Sequence, residues 1–268
     1  MRAVVDDQGL PRGALSGRVA VVVGGASGIG RTVAKALAQQ GARIVIADFD
    51  AARLERTLDE IVHLGSADAA LALPTDVRND ASVRSLAADA VKAMGQVDIL
   101  INMAGVLLQG PVDRIKPADW KWMLDTNLLG PVRTAMAFLP YLTERGSGHV
   151  INTVSAGALT PSNPLTIAYD TGQVALASFT KSLAAALSET GVHVSLYCTG
   201  SGGPRIGQNT RSRGLGRLLH PAEDLEEGTG PSGHLVDSLV DALHTPRFLI
   251  LSDASASVPS MELVGTAT

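Results

Sequence analysis

Short apolar runs recur along this chain, separated by segments long enough for helices. Residues 19–23 (VAVVV), 43–47 (RIVIA), 70–74 (ALALP), 98–102 (DILIN), 149–154 (HVINTV), 193–197 (HVSLY) and 248–252 (FLILS) read as seven strands. Each is continuously apolar rather than alternating, the pattern of strands covered on both faces. Segments such as 29–40, 81–94 and 120–142 read as helices between them. Repeated strand–helix–strand order predicts an α/β fold: one Rossmann-type, doubly wound parallel sheet spanning residues 17–268, behind a polar leader at 1–16. One region breaks the rhythm. Residues 201–233 are rich in Gly, carry four arginines and hold few large apolar side chains. A loop of that length inside a compact domain reads as a substrate lid, with mere disorder as the alternative.

Composition narrows the function classes. With 268 residues, 46% of them hydrophobic and 18% charged, the chain can bury one sizeable core and is not of disordered composition. A net charge of −4 leaves no basic footprint, so neither nucleic acid nor an anionic membrane is expected as a partner. No apolar run approaches the roughly eighteen residues of a membrane span. The single cysteine, Cys198, rules out an intrachain disulfide and suits a reducing, cytoplasmic setting. The histidines at 63, 149, 193, 220, 234 and 244 lack metal-ligand spacing, so no metal is expected. Trp120 and Trp122 read as core or interface residues.

The first candidate chemistry follows the first strand. There GGASGIG, Gly24 to Gly30, opens a helix. Glycines at 24, 28 and 30 remove the Cβ atoms that would block a tight turn and close approach to a pyrophosphate, and the helix start behind them offers free N–H groups. Ser27 and Ile29 complete the cradle and put no cation in it. The second strand ends in Asp48, eighteen residues past Gly30, the spacing of a carboxylate that grips a ribose diol. An alternative role for Asp48 is to cap the following helix. A carboxylate there repels a 2′-phosphate, and Phe49 and Asp50 add no cation, so NAD is favoured over NADP.

With NMAG at 102–105 added, the spacing resembles the short-chain dehydrogenase/reductase family over about residues 17–251. The resemblance implies that Asp76 and Val77 lie near the adenine, and that Asn102, Ala104 and Gly105 steady the sheet and line the cofactor. It implies that Gly200 lies on the nicotinamide side. Asn127, Ser155 and Tyr169 match the family's catalytic asparagine, its substrate-orienting serine and its tyrosine acid/base. The helices near 119–142 and 169–189 resemble those through which the family forms homodimers and homotetramers. Leu107, Leu108, Ala158 and Leu159 suggest an apolar pocket or, equally, structural packing; the resemblance implies a small-molecule alcohol or ketone as substrate. Val23, Met103 and Thr199–Gly200 depart from the family pattern.

The sharpest departure is Gln173, in YDTGQ, where the family has lysine. Residues 169 and 173 share one helix face. Glutamine can still donate to a ribose hydroxyl, but carries no charge to favour an ionised tyrosine. A cation at about 4–6 Å lowers such a pKa by about 1–3 units, so its loss costs roughly ten- to a thousandfold in ionised base. Lys181 lies about 18 Å along the helix and cannot substitute; Arg205, in the lid, is the remaining candidate. Two readings remain open: an NAD-dependent oxidoreductase with weakened electrostatic assistance, or an NAD-binding sensor or partner subunit that no longer turns over. On the first, oxidation improves toward alkaline pH, and Gln173→Lys raises its rate.

Overall fold

A computed structural model describes residues 13, 15–64, 70–159, 163–200, 210–215 and 232–252. Nine strands follow in chain order: β1 (Val19–Val23), β2 (Arg43–Asp48), β3 (Ala70–Pro74), β4 (Ile99–Asn102), β5 (Leu107–Gln109), β6 (Gly148–Ser155), β7 (Val192–Thr199), β8 (Thr210–Ser212) and β9 (Leu249–Leu251). All seven runs expected as strands are present. They form one parallel sheet in the order β3-β2-β1-β4-β6-β7-β9. The order reverses beside β1, and α/β sheets open a ligand crevice at such a switch point.

Continuous apolarity has the expected cause. Ala20, Val22, Ile44 and Ile46 point into one core with α1 (Gly28–Gln39), α2 (Ala51–His63) and α7 (Ser232–His244). Val19, Val21, Val23 and Val45 point into the other, against α3 (Asp80–Met94), α5 (Leu129–Arg145) and α6 (Ile167–Ala186). Successive strand residues alternate faces, so both sets must be apolar when both faces are covered. Each fully buried Val, Leu or Ile contributes about 1.5–3 kcal/mol relative to exposure. Leu15 is fully buried in the first core, so packing begins before Gly17, inside the expected leader. Helix ends follow local chemistry: Asn79 Oδ1 accepts from Ala81 and Ser82 N–H at the start of α3, and Gly95 closes it at φ 77°.

Two expectations are corrected. The segment 120–142 is not one helix but two, α4 (Pro117–Asn127) and α5, broken at Leu128. Pro131 lacks the N–H that would bond the Asn127 carbonyl, and its ring crowds that carbonyl. The second concerns the long loop. Within it, residues 210–212 form β8, which pairs in parallel with β5 as a small separate sheet. Residues 201–209 and 216–231, Arg205 among them, lie outside the described residues.

Candidate active site

The crevice beside β1 is a cavity of about 470 Å³. Its lining includes Gly24, Ser27, Gly28, Ile29, Gly30, Asp48, Asp76, Val77, Ala104, Gly105, Asn127, Ser155, Tyr169, Gln173 and Gly200. One expected residue lies elsewhere. Asn102 is buried in a polar chain across the sheet and does not line the cavity. Thr134 Oγ1 donates to Asn102 Oδ1 (2.7 Å), Asn102 Nδ2 to Asn152 Oδ1 (2.8 Å), and Asn152 Nδ2 to Thr180 Oγ1 (3.0 Å). Those bonds satisfy groups that would be costly to bury alone. Leu107 lines the cavity, but Leu108 and Leu159 pack into the apolar clusters instead, and Ala158 is buried outside the lining.

At the Gly-rich end, backbone meets backbone. Gly24 sits at φ +82°, and a Cβ there would lie 2.6 Å from Ala104 N. A Cβ on Gly30 would lie 2.2 Å from the Gly24 carbonyl oxygen. The turn therefore exists only with glycine at both places, and it presents the start of α1 to the cavity. Asp48 Oδ2 accepts from Ala26 N–H and Oδ1 from Asp50 N–H, each at 3.3 Å, which ties the turn to β2. Capping of α2 falls instead to Asp50, whose side chain accepts from Arg53 N–H at 3.1 Å. Burial raises the Asp48 carboxyl above its ordinary pKa, and those backbone donors oppose the rise. The cradle and this lining carboxylate fit a dinucleotide. Arg78 also lines the cavity, but Asp76 engages it through Nε–Oδ1 (2.9 Å) and Nη2–Oδ2 (2.7 Å).

Side chains govern the other end. Gln173 is only 6% exposed, and its Oε1 accepts from the Ser155 backbone N–H at 2.8 Å. Lysine, a donor only, cannot make that bond. Ser155 closes β6, and its hydroxyl faces the Tyr169 phenol. Burial pushes Tyr169 up to about 12; hydrogen bonding with Ser155 works against the rise, and the neighbouring Asp170 carboxylate adds to it. No cation is among those influences. Asn127 is spent on positioning: Nδ2 donates to the Val106 carbonyl and Oδ1 accepts from Val106 N–H, both at 2.8 Å. Pro131, with no N–H, cannot give the Asn127 main-chain carbonyl the helical bond that another residue there would.

Beyond β7, Gly200 N–H donates to Ser252 Oγ at 2.9 Å, and Thr199 Oγ1 to the Val154 carbonyl at 3.3 Å. These bonds start the Thr199–Gly200 path. Among the lining residues that sequence patterning missed are Phe49, Arg78, Met103 and Trp122. Met103 carried a signal as a departure within NMAG; Trp122 read only as core or interface. Among the described residues, no group of three or more His, Cys, Asp or Glu side chains converges to hold a metal, and no helix is long and apolar enough to cross a membrane.

The family model for short chain dehydrogenase matches residues 18–213. An uncharacterized oxidoreductase of Staphylococcus aureus (strain USA300) is 34% identical over 186 residues, 69% of this chain and 78% of that protein. The 2,3-dihydro-2,3-dihydroxybenzoate dehydrogenase of Bacillus subtilis is 32% identical over 187 residues, 70% of each chain. Among solved structures, a short chain dehydrogenase/reductase from Burkholderia phymatum in complex with NAD superimposes with a TM-score of 0.77, at 27% identity over 89% of this chain and 90% of that one.

Proposed function

We propose, for a chain that belongs to the short chain dehydrogenase family and is an oxidoreductase of it, that it interconverts a small alcohol and its ketone with NAD(H). The carrying observation is the chain of contacts Gln173–Ser155–Tyr169 at one end of a glycine-cradled cavity. A bound nicotinamide dinucleotide supplies the hydride donor or acceptor. Gly24, Gly28, Gly30 and the start of α1 would hold its phosphates, and Asp48 would accept from its ribose hydroxyls. Asp48 and the engagement of Arg78 by Asp76 support NAD over NADP. Ser155 orients the reacting oxygen through its hydroxyl, while Gln173 fixes the Ser155 backbone. Tyr169 carries the proton: it donates to the oxygen in reduction and accepts in oxidation. Asn127, which also lines the cavity, would help to position the water that returns the proton. Exposed Leu129 and Met136 on α5, with Ile167 and Val174 on α6, support self-association through these helices.

The pH dependence follows from the phenol. Oxidation requires the ionised form, whose fraction rises about tenfold per pH unit below a pKa of about 12. Reduction requires the neutral form, present throughout that range. Expected kcat/KM for oxidation therefore climbs with unit slope through pH 10 without a plateau, while that for reduction stays flat. Initial rates of NADH formation and consumption across an alcohol and ketone panel check this. NAD binding in calorimetry with no turnover of any panel member would overturn catalysis in favour of a cofactor-binding role; a plateau near neutrality would overturn the assignment of Tyr169.

A further inference from the structure

Beside the Ser155–Tyr169 end of the cavity, β8 is strapped onto β5 and α4. Arg213 N–H donates to the Gln109 carbonyl at 2.9 Å, and Gln109 Nε2 donates to Ser212 Oγ at 3.0 Å. The Arg213 guanidinium clasps Asp119 twice, through Nε–Oδ2 at 2.9 Å and Nη2–Oδ1 at 2.5 Å. Gly110 makes the approach feasible, since a Cβ there would lie 2.4 Å from the Arg213 carbonyl oxygen. Arg213, just past the strand, engages Asp119, and Arg211, on β8 itself, has a different fate. Arg211 forms no ion pair among the described residues and lies over the Trp122 ring, its Cζ 3.8 Å from the centroid. Trp122 is a wall of the cavity, and Leu107, which pairs with Thr210, is another.

Stacking consumes the face of a guanidinium and leaves its edge, with the N–H fork, free. It also holds the side chain in place, so less freedom is lost when an anion binds. The lining near Ser155 and Tyr169, namely Val106, Leu107, Trp122 and Asn127, is uncharged. The cavity's own acids, Asp48 and Asp76, belong to the Gly-rich end. Arg211 does not itself line the cavity, but it sits on a residue that does, so a substrate long enough to reach over Trp122 would meet its guanidinium. The nearby Asp119 carboxylate is engaged by Arg213.

We propose that Arg211 is a specificity residue that selects substrates carrying a carboxylate remote from the reacting carbonyl or carbinol carbon. The inference rests on the alcohol–ketone reading above for its chemistry and on the β8 strap for its geometry. It is tested with straight-chain methyl ketones ending in a carboxylate, each compared with its terminal primary amide, in the wild type and in Arg211→Gln. Expected in the wild type is a kcat/KM preference for the carboxylate of about five- to tenfold, shrinking at high salt. In Arg211→Gln the preference falls to about onefold, while the amide substrates change less than about twofold. No preference in the wild type, or equal losses on both substrates in the variant, overturns the inference and leaves Arg211 as a strap contact. Quenching of tryptophan fluorescence by the same compounds separates the two readings. Arg211-dependent quenching by carboxylates without any turnover keeps this inference and sinks the oxidoreductase reading; turnover blind to charge does the reverse. Absence of both sinks both.

Discussion

At one end of the cavity, Gly24 and Gly30 bring main chain against main chain at separations that no side chain tolerates. At the other, Ser155, Tyr169 and Gln173 meet through hydrogen-bonding groups that other residue types can partly replace. The first arrangement is steric, and admits one amino acid. The second is a matter of donors, acceptors and charge, and admits exchange if the local bonding is rebuilt. Position 173 illustrates this: where the family resemblance leads one to expect lysine, Gln173 carries no charge and offers an acceptor that holds the Ser155 N–H.

Variants that break each end should fail differently. On the proposed mechanism, Tyr169→Phe removes the proton carrier alone and is expected to lower kcat by about 10²–10⁴-fold. Calorimetric NAD affinity should stay within about threefold, since the ring is kept; a variant still active at wild-type rate would remove Tyr169 from the chemistry. Gly30→Ala forces a methyl onto the Gly24 carbonyl. The expected loss is about 1–3 kcal/mol of stability in urea unfolding, together with weakened NAD binding. If Gly30→Ala binds NAD normally and loses only kcat, the contrast between the two ends fails.

Smaller and more discriminating is Gln173→Leu, which leaves the part-buried Ser155 N–H without its acceptor. That costs about 1–3 kcal/mol, read as a fall in kcat of about tenfold or more with NAD affinity little changed. Gln173→Lys sharpens the point further. Its cation should move the oxidation profile about 1–3 pH units toward neutrality, whereas the lost acceptor should lower the rate at the alkaline limit. The simpler expectation of a uniform rate gain ignores that bond. A Lys variant faster at every pH would show the Ser155 tether to be dispensable.

Most of the fold was legible because its signals are local. Seven apolar runs became seven strands, and Asn79 and Gly95 bound α3 where capping chemistry places them. The break at Leu128 was also written in the chain, in Pro131, but the apolar pattern on either side masked it. The short strands β5 and β8 gave no signal: three residues each and far apart in the chain, they are brought together only by the tertiary fold. Within the site, Gly24, Gly30 and Asp48 were readable from spacing. For Asn102 the sheet-steadying role was implied by the family resemblance, but its place away from the cavity was not, because its partners Thr134 and Asn152 come from other elements. Trp122 and Arg211 met only through the β8 strap.

The sequence by itself determined the layered sheet, the glycine cradle and the identities at 155, 169 and 173. These depend on periodicity and on the conformational freedom of single residues, which a linear pattern carries. Tertiary structure alone decided that Gln173 accepts from Ser155, that Asn127 grips Val106 and that Arg211 rests on Trp122. Hydrogen bonds and stacking act over a few ångströms between residues brought together from separate elements, and no spacing along the chain encodes which donor will find which acceptor.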